Sequence, residues 1–219
     1  MLLEATAPPV AKRRARDPIS FVAGALGLAA IVFVAAIDLW WGLTVEGYSI
    51  VANTISNLAA GDESGTVDFA MKCFAISIAI IAAGLWRWDL GDRTSSPKRW
   101  VAGSVILLLL SPIVYWIARY DGYSGLPTGQ MTIHLSLVGV LAAGFPLAAW
   151  LMGPGFAAVS LRWKVTSQLL ALVWVPLAAY FMFMSTSWDG LYERGLAAIL
   201  LGWLGIAAFN LVRRGRGSL

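Results

Sequence analysis

The chain has 219 residues, of which 59% are hydrophobic and only 13% charged, with a mean hydropathy of +0.74. Soluble domains are about 45–50% apolar and about 25% charged, so neither a water-soluble globule nor a disordered chain fits this composition. One cysteine, Cys73, and one histidine, His134, exclude an intrachain disulfide, a cysteine zinc site and a multi-histidine metal centre.

The first segment, Met1–Asp17, carries Pro8, Pro9 and the cluster Lys12, Arg13, Arg14 and Arg16. It reads as a disordered basic cytoplasmic tail lying near anionic lipid. A span needs about 20 mostly apolar residues to cross a hydrocarbon core of about 30 Å. Six stretches qualify: Ile19–Leu39, Val67–Trp86, Trp100–Ile117, Met131–Met152, Val165–Met184 and Leu191–Val212. The first is too long for the apolar region of a signal peptide and is expected to stay as an uncleaved helix. Period-two alternation is absent, which argues against a β-barrel. The predicted fold is therefore all-α and polytopic, a single membrane domain over residues 18–212 with a second tail at 213–219.

Between the first two spans, Tyr48–Leu58 shows helical periodicity. Val51, Ile55, Leu58 and Ala59 fall on one face, and Ser49, Asn53, Ser56 and Asn57 on the other. A short amphipathic helix over Ser49–Leu58 is expected, without the basic residues that suit anionic lipid. Two readings stay open: a lid with its polar face turned inward, or a helix resting at the interface. Pro112, Pro146 and Pro176 interrupt later spans, as kinks that shape packing or as breaks that mark a gate. Gly139 with Ala143, and Ala198 with Gly202, have the four-residue spacing that permits close helix approach.

Charge orients the chain. Thirteen of the sixteen basic residues fall on one side, in the clusters 12–16, 87–99, 162–164 and 213–216; only Lys72, Arg119 and Arg194 fall on the other. By the positive-inside rule both termini are expected in the cytoplasm, and the high isoelectric point reflects topology rather than nucleic-acid binding.

Depth then groups the polar residues. Asp38 closes the first span, Lys72 lies about one turn into the second, His134 about one turn into the fourth with Gln130 beside it, and Glu193 and Arg194 open the sixth. Antiparallel neighbours bring these to one level, where charge is costly unless paired, hydrated or snorkelling. Arg119, Tyr120 and Asp121 could complete a rim. The expectation is an outward-facing pocket of Asp38, Asn53, Ser56, Asn57, Lys72, Arg119, His134, Glu193 and Arg194 that takes a small polar molecule or a lipid headgroup. Each also has a structural reading: Asp68 and Lys72 form an i,i+4 pair, Arg194 snorkels, and His134 bonds a carbonyl. A Ser56–His134 dyad oriented by Asp38 is conceivable but lacks a nucleophile-elbow context. Asp62, Glu63 and Asp68 lack calcium-loop spacing, and no phosphate-binding or dinucleotide motif occurs. No cofactor is expected.

Three stretches carry a family resemblance: Tyr48-Ser49 with Thr54-Ile55-Ser56-Asn57-Leu58-Ala59-Ala60-Gly61, the single His134, and Glu193-Arg194-Gly195 followed by Trp203. In these the chain resembles the bacterial six-helix membrane family called "domain of unknown function 998", from Phe21 to Val212. Two positions depart from the family's pattern: Asn57, where an acid is usual, and Glu193, where glutamine is usual. The resemblance implies six spans in a bacterial plasma membrane and no established activity. Three functions remain in view: ligand or lipid binding in an accessory, sensor or lipid-handling role; a small permease; and an intramembrane hydrolase or transferase. The span centres are nearly all apolar, with Ser77, Ser104, Ser111 and Ser136 as exceptions, which disfavours an ion path. Binding without chemistry is the expectation.

Overall fold

The computed structural model describes residues 16–59, 64–88, 90, 96–119, 128–181 and 187–218. Residues 1–15 of the proposed tail, Asp62, Glu63, Tyr120, Asp121 and the side chain of Gln130 lie outside these. Among the described residues the fold is all-helical: α1 (Pro18–Thr44), α2 (Ile55–Ala59), α3 (Ser64–Trp86), α4 (Pro97–Arg119), α5 (Thr128–Phe156), α6 (Leu161–Phe181) and α7 (Asp189–Gly215). All but α2 are long and apolar enough to cross a membrane, six candidate spans in total. Most helices overrun the expected apolar stretches, since flanking polar residues extend a helix without adding hydropathy. Helix α3 ends at Trp86 as expected, and the expected end of the fifth span at Met184 lies outside the described residues. At the last span the helix continues to Gly215, past the expected end at Val212.

The six long helices form a ring in chain order, α1–α3–α4–α5–α6–α7, closed by α7 on α1, with α3 also touching α7. The α6–α7 seam is the thinnest in the ring. With an even number of spans both termini lie at one end of the bundle, here called the terminal end. The backbone N–H of Asp17 donates to the Gly215 carbonyl there, at 3.1 Å. The segment joining α1 to α3 lies at the opposite, loop end.

Two features explain how such apolar helices find a single packing. Where α1 meets α7, a Cβ at Gly24 would collide with the Ala208 carbonyl and Val212, so only glycine permits the approach. The sequence suggested other small residues for this role. Gly139, Ala143, Ala198 and Gly202 are all exposed, and nothing lies within 4 Å of a Cβ built on Gly139 or Gly202. They face outward because four-residue spacing marks a smooth stripe without saying which way it points.

The second feature is internal hydrogen bonding, since a membrane offers no water to satisfy freed groups. Pro146 has no N–H for the Ala142 carbonyl one turn earlier. The Trp174 indole of α6 donates to that carbonyl at 2.8 Å, so the kink residue on α5 is served by its neighbour. Trp203 Nε1 donates to Ser167 Oγ at 2.8 Å, and Ser167 donates to the Ala149 carbonyl at 2.7 Å, linking α7, α6 and α5. Around this relay Phe145, Phe156 and Trp203 meet edge to face, with centroids 5.8 and 6.0 Å apart. This aromatic cluster is the centre of the core.

Candidate functional site

At the loop end, Arg194 stands in the second turn of α7 and reaches across to the end of α1. Its Nε and Nη2 fork onto both oxygens of Asp38 at 2.9 and 2.8 Å. Nη2 also donates to the Tyr48 hydroxyl at 2.8 Å. Nη1 donates to the carbonyls of Ile50, Asn53 and Gly190 at 3.0, 2.9 and 3.2 Å. A guanidinium has five N–H donors in a planar fork. All five are used, against six acceptors drawn from α1, α7 and the intervening strap of residues 45–54. The two side chains are only 11% and 16% exposed, which makes this a buried, bidentate pair.

Tyr48 sits over the guanidinium, 5.6 Å from its carbon, and its hydroxyl faces the carbonyls of Asn53 and Thr54 at 3.0 and 2.7 Å. Burial raises the Tyr48 pKa above its ordinary value, so the phenol stays protonated as a donor to these carbonyls. Next to Arg194, Glu193 accepts from the Ile55 N–H at 2.6 Å and so caps α2 from another helix. Leu191 N–H donates to the Val51 carbonyl at 3.0 Å. A Cβ on Gly190 would strike the Asn53 and Ile50 carbonyls, so glycine is what allows the strap to lie directly on α7.

The expected helix over Ser49–Leu58 is helical only at Ile55–Ala59. Its polar residues fold turns instead. Asn53 Oδ1 accepts from Ser49 N–H at 2.8 Å, and Asn57 Oδ1 accepts from the Thr54 N–H and hydroxyl at 3.0 and 2.6 Å. Asn side chains that bond nearby backbone compete with helix formation, a force that periodicity does not register. Of the three residues expected to turn inward, Ser56 is buried and Asn57 is exposed. Asn53 is half-buried and contributes its carbonyl rather than its amide to the arginine.

The structure thus joins Asp38, Glu193, Arg194 and the Asn53 backbone around the strap that carries Ser56. Lys72 pairs with Asp68 at 3.6 Å on α3, and Arg119 is exposed at the end of α4. His134 is buried on α5, whose main packing partners are α4 and α6. Asp38, the third member of the conceivable triad, gives both oxygens to Arg194. Sequence reasoning missed Gly190 as a site residue and passed over Tyr48 except in the family stretch. A glycine one turn before an intramembrane arginine was the available signal; the backbone carbonyls had none.

Beside this network an open apolar groove of about 330 Å³ runs between α6 and α7, lined by Leu177, Trp188, Leu191, Tyr192, Gly195, Leu196 and Ile199. The Tyr192 hydroxyl donates to the Leu177 carbonyl at 3.1 Å, and its ring stacks on Phe181 with centroids 5.9 Å apart. The strap and the groove therefore use opposite faces of the first two turns of α7.

The fold and these sites define a multi-pass helical membrane protein. Over residues 13–210 the chain matches the family described as "Protein of unknown function (DUF998)", and it belongs to that family. No curated protein and no solved structure matches it.

Proposed function

We propose that this chain is a lipid-handling binding protein of a bacterial plasma membrane, with both termini in the cytoplasm and the strap on the outer face. The orientation rests on the concentration of thirteen of the sixteen basic residues in the segments that flank the terminal end. The reading as a binding protein rests on one observation: every N–H of Arg194 is spent inside the protein, so this buried cation fastens a rim and is not held ready for chemistry. A rigid outer rim of polar groups above an apolar bundle suits a ligand with a polar head at that level, a lipid headgroup or a small polar molecule. Lys72, Arg119, Ser56 and His134 are the residues proposed to meet it, since the Asp38–Arg194 pair is already satisfied.

The test is lipid-dependent stabilisation of the purified protein. Phosphatidylethanolamine, phosphatidylglycerol and cardiolipin are added singly to detergent micelles and the unfolding temperature is followed. One class should raise it by several degrees, and Lys72→Ala or Arg119→Ala should reduce that rise. Equal effects of all three lipids, unchanged in both variants, would refute the reading.

A further inference from the structure

We propose that the groove between α6 and α7 seats one acyl chain of a membrane amphiphile, with the headgroup at the level of Trp188. It goes beyond the reading above, because the groove lies at the α6–α7 seam, away from Lys72 on α3 and Arg119 on α4, and would hold a lipid of its own. The walls are Leu177 on α6 and Leu191, Leu196 and Ile199 on α7, around a space of about 330 Å³. These residues all belong to candidate spans, and the groove is open, with Leu191 on its wall 45% exposed. The medium at its mouth is therefore hydrocarbon, and a chain fills it where water would not.

The chemistry of the wall agrees. Its one hydroxyl, on Tyr192, is taken by the Leu177 carbonyl, so the interior offers nothing to a polar group. At Gly195 no atom lies within 4 Å of where a Cβ would stand, leaving an open floor. Ala198 and Gly202 carry the same smooth exposed face further along α7, a track for an unbranched chain. Trp188, 55% exposed just before α7, stands where an interfacial tryptophan meets headgroups. Behind the groove, the bond from Leu191 N–H to the Val51 carbonyl and the Arg194 network fix the far side of the same turns. The wall is thus preformed and does not need to order when a chain enters.

The experiment uses the full chain in vesicles of phosphatidylethanolamine and phosphatidylglycerol, doped with a phosphatidylethanolamine bearing a diazirine on its acyl chain. After illumination, adducts are mapped by mass spectrometry. Adducts on Leu177, Leu191 and Ile199 should exceed several-fold those on Leu169 and Leu172, although these two are the more exposed. Gly195→Leu, whose Cβ has open space around it and whose branch fills the floor, should bring them down to that background while the unfolding temperature in detergent stays unchanged. Ile199→Trp is a second filling variant should the first fail to fold. Uniform labelling of all outward residues, or enrichment that survives both filled variants, overturns the groove site. If groove adducts stay at background while one lipid class still raises the unfolding temperature, the groove fails and the lipid-binding reading stands. If neither effect occurs, both fall.

Discussion

At each end of the bundle an aspartate on the α1 side and an arginine on α7 tie the first span to the last, and the two ties differ in kind. At the loop end Arg194 and Asp38 form a buried fork of 2.8 and 2.9 Å, with every other guanidinium N–H bound to the strap or to α7. At the terminal end Asp17 caps α1 through Ser20 at 3.2 and 2.9 Å and meets Arg214 at 3.2 Å and Arg87 at 3.6 Å. Arg87 is 54% exposed there, whereas Arg214 and Asp17 are only 23% and 14% exposed, and Arg214 and Arg216 lie over the rings of Trp88 and Phe21. Removing one partner of a buried pair costs about 3–5 kcal/mol, whereas an exposed pair is worth about 0–1 kcal/mol. The same two residue types therefore make a lock at one end and a loose tether at the other. Hydrogen-bond number and geometry decide which, because the two aspartates are alike in exposure, 16% for Asp38 and 14% for Asp17, and only Asp38 receives a bidentate fork.

The sharpest way to break this contrast is Arg194→Ala. It leaves Asp38 buried and unpaired and frees three carbonyls, so a loss of about 3–5 kcal/mol is expected in detergent unfolding. Arg194→Lys, with three donors and no planar fork, should recover only part. A double-mutant cycle with Asp38→Asn isolates the pair, and a coupling below about 0.5 kcal/mol would show that no lock exists.

A second test stays within α7. Gly190→Ala pushes a methyl against the Asn53 and Ile50 carbonyls and should cost about 1–3 kcal/mol, while Gly195→Ala one turn later, with open space around it, should cost far less. Equal losses would mean that the strap does not rest on Gly190.

The smallest effect belongs to the terminal end. Asp17→Ala should cost about 1 kcal/mol through the lost helix cap. Burial alone would raise the Asp17 pKa. The Ser20 hydrogen bonds and the charges of Arg214 and Arg87 outweigh it and hold the group below its usual 3.8. Because the folded value is the lower one, the stabilisation is complete above the unfolded pKa and disappears as pH falls through the folded value. Acid titration of unfolding should therefore show a loss below about pH 4 that Asp17→Asn lacks. A variant that loses stability in parallel with the parent across that range would place the acid sensitivity elsewhere.

These contrasts also show what could be read from sequence. Span number and the end to which each polar residue belongs follow from hydropathy, which a bilayer enforces residue by residue. Asp38, Glu193 and Arg194 were legible as one group because charge at similar depth needs partners. Which of the equally deep residues meet was not legible. Lys72 and His134 share that depth, but ring order puts α5 between α4 and α6, and depth alone carries no angular information. The short outer helix was legible, but its start was expected at Ser49 and lies at Ile55, for a different reason. Asn53 and Asn57 look like one polar helix face, yet their side chains bind local backbone, a competition invisible to periodicity.

The acceptors gathered by Arg194 also set an order in time. Asp38 precedes it by 156 residues and the Ile50 carbonyl by 144, so the chain lays down the catch long before the bolt. Until the last span is in place, Asp38 has no fork to receive it and the Ile50 and Asn53 carbonyls lack their arginine. Neighbouring spans can pair as they emerge, because the ring follows chain order, but its closure waits for α7. The final helix is thus the keystone of the assembly, and a chain that stops short of it carries an unanswered carboxylate at the membrane edge as the sign of its incompleteness.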